Sequence, residues 1–123
     1  MARLNNNVAT MTSSELGTFM AHVGAWREYT ESLLMEATMD YAFKKEDYDS
    51  LYNERKLEAL NSKKSGKTKE HALLEVECEE DVNELWNILL QAEQMKEVLT
   101  SKLSSYNNLY TLISREIARR ESA

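Results

Sequence analysis

A group of basic side chains has the residue types and spacing that bind phosphate. Four lysines fall within the segment NSKKSGKTK: Lys63, Lys64, Lys67 and Lys69. Arg55 and Lys56 precede them, and residues 54–69 carry six bases against two acids, a local charge of +4. Tyr48 and Tyr52 lie one to two helical turns earlier, at positions where nucleic-acid bases could stack on the rings. Lysine binds phosphate as a point charge and does not read the base sequence. The four lysines, Arg55, Lys56 and the two tyrosines are therefore candidates for nucleic-acid binding without sequence preference. The alternative is a solvated turn that only aids solubility.

The sequence contains no convincing enzyme signature. The letters SGKTK resemble a P-loop, but Asn61 stands where the first glycine belongs and no strand precedes it. His71, Glu75 and Cys78 fall near one face of a helix and have metal-ligand side chains. Cys78, however, lies on an apolar stripe and is expected to be a small buried side chain. The sequence therefore predicts no catalytic residue, no metal site and no cofactor.

An acidic run follows the lysines and has an ordinary explanation. Acids near the start of a helix are stabilised by the positive end of its dipole, and most of them are expected to face solvent. Two other interpretations stay open: a surface that pairs with lysines of a neighbouring subunit, and a mimic of phosphate charge. The run comprises Glu75, Glu77, Glu79, Glu80, Asp81 and Glu84.

The composition indicates an all-α protein. The 123 residues include no proline and only three glycines, and good helix formers are abundant. Cys78 is the single cysteine, which excludes an internal disulfide and suits a reducing cytoplasm. Since no apolar segment is long enough to span a bilayer, we expect a soluble intracellular protein without a membrane partner. The formal charge of −6 means that any nucleic-acid binding must use a local patch.

The elements that would position these residues are two long helices. Residues 1–11 are Asn-rich and are expected to form a flexible arm. The segment TSSE, residues 12–15, has the spacing of a capping box and predicts a helix from about residue 13 to about residue 60. Asn, Ser and Gly at 61–69 favour a turn, and Thr68 is a plausible cap for a second helix that ends near residue 119. The prediction is one helical-hairpin domain over residues 12–120 with its basic turn at 61–69.

The apolar face of the second helix is broader than a single partner helix needs. Trp86, Ile88, Leu90, Val98 and Leu112 lie beside the main stripe. Either the helices bend back on themselves or several chains associate, and association into a homo-oligomer is the favoured interpretation. The predicted interface comprises Leu85, Leu89, Leu99, Tyr106, Leu109, Ile113 and Ile117.

The order of these features resembles a known protein family. An aromatic-containing helix with AWREYTESLLMEA, a Lys- and Gly-bearing break, and a long helix with DVNELWNILLQAEQMKEVLTSKL are similar to small phage recombination mediators of the UvsY type. The resemblance covers roughly residues 22–119. It implies a helical hairpin that self-assembles, binds single-stranded DNA in the host cytoplasm, and helps to load a RecA-like recombinase onto strands covered by single-strand-binding protein. Lys63, Lys64, Lys67 and Lys69 would take the place of the family's basic segment.

Two functions of different classes follow from the sequence. The first is a non-catalytic recombination mediator, in which repeated lysine patches hold DNA through effective concentration. The net charge of −6 and the acidic run depart from the family pattern and would oppose DNA binding. The second is a helical phage-encoded adaptor or inhibitor that binds a host or viral protein through its acidic or apolar helix face.

Overall fold

The described part of the chain is almost entirely helical. The computed structural model describes residues 8–61 and 68–122, which contain a short 3-10 helix, Val8–Thr10, three α-helices and no strand. The α-helices are α1, Ser13–Asn61; α2, Lys69–Glu77; and α3, Glu80–Glu121. The prediction of an all-α protein is confirmed. None of the helices in the described ranges is both long and apolar enough to cross a membrane.

Helix α1 begins with the capping box that the sequence indicated. The Glu15 backbone N–H donates to Thr12 Oγ1 at 3.1 Å, and the Thr12 N–H donates to Glu15 Oε1 at 3.4 Å. These two bonds satisfy backbone donors that have no partner within the first helical turn. Thr68 caps α2 in the same manner, since its hydroxyl oxygen accepts the N–H of His71 at 3.1 Å. Both predicted caps are confirmed.

The prediction of one continuous second helix is wrong, because the chain breaks at Cys78 and Glu79. In a continuous helix the acidic run would place Glu75 and Glu79, and likewise Glu77 and Asp81, four residues apart, where like charges repel. The break also changes the apolar register. Val76 and Val82 are both buried, although a step of six residues places two side chains on different sides of an unbroken helix.

Cys78 is exposed, so the prediction that it would be a small buried side chain is wrong. It forms the C-terminal cap of α2, and its N–H donates to the carbonyls of Leu74 and Glu75. Leu74, four residues before Cys78, is 58% exposed. Ala72 and Val76 form the buried side of α2 instead.

The chain divides into two compact units, and α1 and α3 each contribute to both. Unit 1 comprises Met1–Met35 and Glu97–Ala123. Its core contains Leu16, Phe19 and Val23 at the predicted three- and four-residue steps of α1, together with Val8 and Ile113. Within unit 1 the helical segments run antiparallel: Arg120 contacts Ser13, and Arg27 lies over the ring of Tyr110 at 4.3 Å.

Unit 2 comprises Glu36–Lys96. Its buried apolar side chains come from α2 and the first half of α3, which pack against the second half of α1. The order of the contacts is again antiparallel, with Tyr41 near Lys96, Tyr48 near Trp86, and Arg55 near Asp81. The buried set is Ala72, Val76, Val82, Leu89 and Ala92.

Part of the predicted flexible arm is packed into the core of unit 1. Val8 is buried and Met11 lies against the same core, so residues 8–11 belong to the packed structure. Residues 1–7 lie outside the described residues. So do residues 62–67, which include three of the four candidate lysines of the predicted turn.

Candidate binding surface of unit 2

Arg55 is paired with acids of its own chain. Its Nη1 lies 2.5 Å from Glu79 Oε2, and its Nη2 lies 2.6 Å from Asp81 Oδ2. The planar guanidinium can reach two carboxylates at once, and the break between α2 and α3 brings both of them to it. The hydrogen bond to Glu79, with the nearby charges, raises the pKa of Arg55. Arg55, predicted to contact DNA phosphate, therefore has its charge compensated within the chain.

The acidic run thus has a partner that the sequence did not reveal. Pairing with a neighbouring subunit's lysines was one of the open interpretations, but two of the six acids bind an arginine of the same chain. The Val82 N–H also donates to Asp81 Oδ1 at 3.0 Å, which places a carboxylate at the start of α3. That bond agrees with the expectation that acids stabilise a helix start.

Three aromatic rings lie together beside these charges. The rings of Tyr48 and Tyr52 are stacked, with centroids 5.8 Å apart. Trp86 of α3 packs against Tyr48 at 5.2 Å and an interplanar angle of 51°. The Tyr52 hydroxyl lies within 3.5 Å of Glu77 Oε1, to which it donates. The two tyrosines predicted to stack on nucleic-acid bases are therefore engaged with each other, with a tryptophan and with a carboxylate.

A cleft opens at this aromatic group. It has a volume of about 370 Å³ and is lined by Tyr48, Glu77, Val82, Asn83 and Trp86. We refer to these five residues as the acidic-aromatic cleft. Trp86 is 43% exposed, whereas Val82 is buried. The cleft thus combines accessible aromatic surface, a buried aliphatic side chain, a carboxamide and a carboxylate, all from unit 2.

The ionisation of the two tyrosines reflects the same surroundings. Burial is the main cause that raises the pKa of Tyr48, and the charges of Tyr52, Glu77 and Asp49 act in the same direction. Burial also raises the pKa of Tyr52, and Glu77 adds to this through its charge and its hydrogen bond. Both shifts indicate surroundings that disfavour an additional negative charge.

The excess of acidic over basic residues lies in unit 2. Residues 36–96 contain 15 Asp and Glu against 9 Lys and Arg, a difference of −6 that equals the formal charge of the whole chain. The remaining residues contain 6 acids and 6 bases, and are neutral. An approaching charged ligand therefore meets an acidic unit 2.

The other candidate nucleic-acid residues either do not line the cleft or lie outside the described residues. Lys56 is half-buried near the end of α1, and Lys69 is exposed as the first residue of α2. Lys63, Lys64 and Lys67 lie outside the described residues. Among the described bases of the predicted site, Lys69 is the most accessible to a ligand.

The predicted oligomer interface is partly used by the chain itself. Leu89, Leu99 and Ile113 are buried, and Ile113 is 0% exposed in the core of unit 1. Leu85, Tyr106, Leu109 and Ile117 are half-buried. The apolar side chains that face solvent are different ones on α1 and α3: Tyr29, Met35, Met39, Phe43, Leu57, Trp86, Met95, Val98 and Leu112. Association through the predicted set stays a prediction.

The residues once considered for a metal do not form a ligand cluster. His71 Nε2 lies 3.2 Å from Glu75 Oε1, but Cys78 caps the next turn and is exposed. Within residues 8–61 and 68–122, no group of three or more His, Cys, Asp or Glu side chains is arranged to hold a metal ion.

Sequence reasoning missed Trp86 and Glu77 as site residues. The sequence assigns Trp86 to the width of the apolar face and Glu77 to the acidic run after the lysines. The usable signal was the position of Trp86 beside the main stripe of α3, since a large aromatic side chain off the core face is available for binding. Comparisons of the chain with family models, curated proteins and solved structures found no match.

Proposed function

We propose that the protein acts by binding, and that unit 2 docks a Lys- and Arg-rich segment of a partner protein. The observation that carries the proposal is the position of the aromatic group beside a carboxylate in the acidic unit 2. Tyr48, Tyr52 and Trp86 lie together next to Glu77, while the nearby Arg55 is neutralised by two carboxylates. This matches the adaptor or inhibitor class that the sequence left open.

Charge and surface chemistry both support a basic partner. Accessible aromatic side chains with acidic neighbours suit the aliphatic stems and cationic ends of lysine and arginine. The excess of six acids in unit 2 would steer such a segment toward it and make its association rate sensitive to salt. A phosphate backbone would meet the opposite field.

The test is a fluorescence-anisotropy titration of a labelled Lys- and Arg-rich peptide against the full chain at low and moderate salt. The unit 2 variant replaces three exposed acids outside the acidic-aromatic cleft, Glu70, Glu80 and Glu84, with Gln. A matched control makes the same change at three exposed acids of unit 1, Glu28, Glu31 and Glu97. We expect the first triple variant to bind more weakly and with less salt dependence than the control. Equal loss in both would contradict docking on unit 2.

A second candidate is the single-stranded DNA-binding recombination mediator. It is favoured by the density of Lys63, Lys64, Lys67 and Lys69 in the sequence and by the exposure of Lys69 at the start of α2. In this proposal the protein works in the host cytoplasm with single-stranded DNA, a single-strand-binding protein and a RecA-like recombinase. Exchange of the four lysines for Ala would weaken DNA binding and flatten its salt dependence. Unchanged binding in that variant would remove the lysines from the mechanism.

We also propose that the helices form a hairpin and that chains associate through exposed apolar side chains. Met39 and Phe43 support this, since they lie four residues apart on α1 and are 59% and 61% exposed. Such a stripe on one side of a helix is typical of a surface that a partner covers. Light scattering of the wild type and of a Met39→Ser, Phe43→Ser double variant is the test. We expect the wild type to have a mass that is a multiple of the single-chain mass, and the double variant to have a lower mass. A monomeric wild type would refute association.

A further inference from the structure

We infer that the acidic-aromatic cleft receives the alkylammonium end of a lysine side chain, methylated or unmodified. This inference rests on the proposed function and specifies its recognition site. Five residues from α1, α2 and α3 line the cleft, and their side chains supply the groups that such an end requires: Tyr48, Glu77, Val82, Asn83 and Trp86.

The aromatic rings supply the first attraction. A cation close to the face of Trp or Tyr is attracted by the negative potential of the ring, and Trp gives the strongest contact of this kind. Unit 2 already contains one such contact, because Lys96 Nζ lies 4.5 Å from the ring centre of Tyr41. Trp86 is 43% exposed and packs against Tyr48 with ring centroids 5.2 Å apart, so the accessible part of its ring is available to a cation at the cleft.

Glu77 supplies the charge that selects a cation over a neutral group. One of its carboxylate oxygens accepts the Tyr52 hydroxyl at 3.5 Å, so the carboxylate lies beside the aromatic rings. A carboxylate next to aromatic surface attracts an ammonium group and repels phosphate. Burial is the larger cause of the raised pKa of Tyr48 and Tyr52, and the charge of Glu77 adds to both shifts.

The size of the cleft suits one side chain. Its volume of about 370 Å³ lies near the lower end of the range of small-molecule sites. The exposed ring of Trp86 offers apolar contact to the aliphatic stem of a lysine, and Asn83 offers a carboxamide oxygen as acceptor. The exposed side of the cleft leaves the peptide backbone of the ligand outside the protein.

The test uses three blocked five-residue peptides that differ at one central position: lysine, trimethyl-lysine or norleucine. Norleucine keeps the aliphatic stem and removes the charge. Binding to the full isotope-labelled chain is followed by NMR at the indole N–H of Trp86, which the Trp86→Phe variant assigns. We expect both charged peptides to bind, with the norleucine peptide weaker by about 5- to 30-fold. Tighter binding of the trimethyl form identifies methylated lysine as the preferred source, and equal binding identifies unmodified lysine as sufficient.

Matched variants locate the site within the acidic surface. Trp86→Leu and Glu77→Gln should each weaken the lysine peptide by about 5- to 30-fold. Glu84→Gln removes the same charge as Glu77→Gln from the same unit but from outside the cleft, and should change the affinity less than about twofold. Backbone amide spectra show whether each variant keeps its fold, and Glu77→Gln provides the test if Trp86→Leu does not.

Equal affinity for the lysine and norleucine peptides would overturn the inference, and so would unchanged affinity in both cleft variants. Its failure is distinguishable from failure of the proposed function. If the triple Gln variant of unit 2 loses the Lys- and Arg-rich peptide while the two cleft variants keep it, unit 2 binds basic segments without using the cleft. If the single-lysine peptides bind in the cleft but the triple variant matches its unit 1 control, the cleft is a cation site and the docking proposal fails.

Discussion

Glu116 is the carboxylate most strongly held in its ionised form. It accepts hydrogen bonds from Arg119 Nη2 at 2.7 Å and from Arg120 Nε at 3.0 Å. These two bonds are the main cause that lowers its pKa from 4.5 to about 2. Arg120 also lies within 3.3 Å of the Ala9 carbonyl oxygen, to which it donates, so the group connects the end of α3 with the start of the described chain.

A pH titration tests this arrangement. Because the folded chain keeps Glu116 ionised to lower pH than the unfolded chain does, its contribution to stability is complete above pH 4.5 and disappears as the pH falls through about 2. We expect an NMR titration of the Glu116 carboxyl to give a midpoint near 2, and Glu116→Gln to reduce the loss of unfolding free energy across this window. Glu121→Gln, at the same helix end, is the control. A Glu116 midpoint near 4.5 would refute the paired geometry.

Arg55 holds both sides of the break between α2 and α3. Exchange for Lys keeps the charge but loses the planar fork that reaches Glu79 and Asp81 together. We expect Arg55→Lys to increase amide hydrogen exchange in α2 and at Val82, because α2 is short and depends on tertiary contacts. Lys56→Gln, at the adjacent position, should leave exchange unchanged. Wild-type protection in Arg55→Lys would show that the ion pairs do not hold the break.

At the scale of the helices, Ile113 separates core packing from assembly. The sequence assigned it to an oligomer interface, and the structure buries it with Leu16, Phe19 and Val23 in unit 1. Ile113→Ala should therefore lower the unfolding free energy by about 2–5 kcal/mol, and Ile113→Val by about 0.5–1.5 kcal/mol. Urea unfolding at several protein concentrations measures both. If the loss of unfolding free energy disappears at low protein concentration, Ile113 contributes to an oligomer interface and not to the core of one chain.

The start of α1 and its apolar register could be predicted from sequence because both depend on local rules. The capping box at Thr12 and Glu15 needs three residues of spacing, and Leu16, Phe19 and Val23 follow the helical period. The break at Cys78 and Glu79 could not be predicted in this way. It contains neither Gly nor Pro, and Arg55, which lies more than twenty residues earlier in the chain, stabilises it.

Only part of the candidate site could be predicted from sequence, because the rest depends on contacts between residues that are distant in the chain. The sequence predicts Tyr48 and Tyr52 as site residues because they are aromatic and lie near lysines, but it does not show that Glu77 and Trp86 lie beside them. Their chemistry depends on these neighbours. Next to lysines the tyrosines would suit nucleic-acid bases, and next to a carboxylate they suit a cation.

At the scale of the whole molecule, charge is distributed unequally between the two units. Unit 2 carries the complete excess of acids and also the acidic-aromatic cleft, whereas unit 1 is neutral and contains the core cluster around Ile113. This distribution assigns recognition to unit 2 in the proposed function. A cationic partner is attracted there, and the attraction weakens as salt screens it.

The most direct test of the central claim is a pair of titrations of the full chain under one low-salt condition. One uses a fluorescent Lys- and Arg-rich peptide, and the other a fluorescent single-stranded oligonucleotide of similar length. The proposed function predicts saturable peptide binding that weakens as salt is raised, with far weaker or no binding of the oligonucleotide. Saturable oligonucleotide binding without peptide binding would contradict it and favour the DNA-binding mediator.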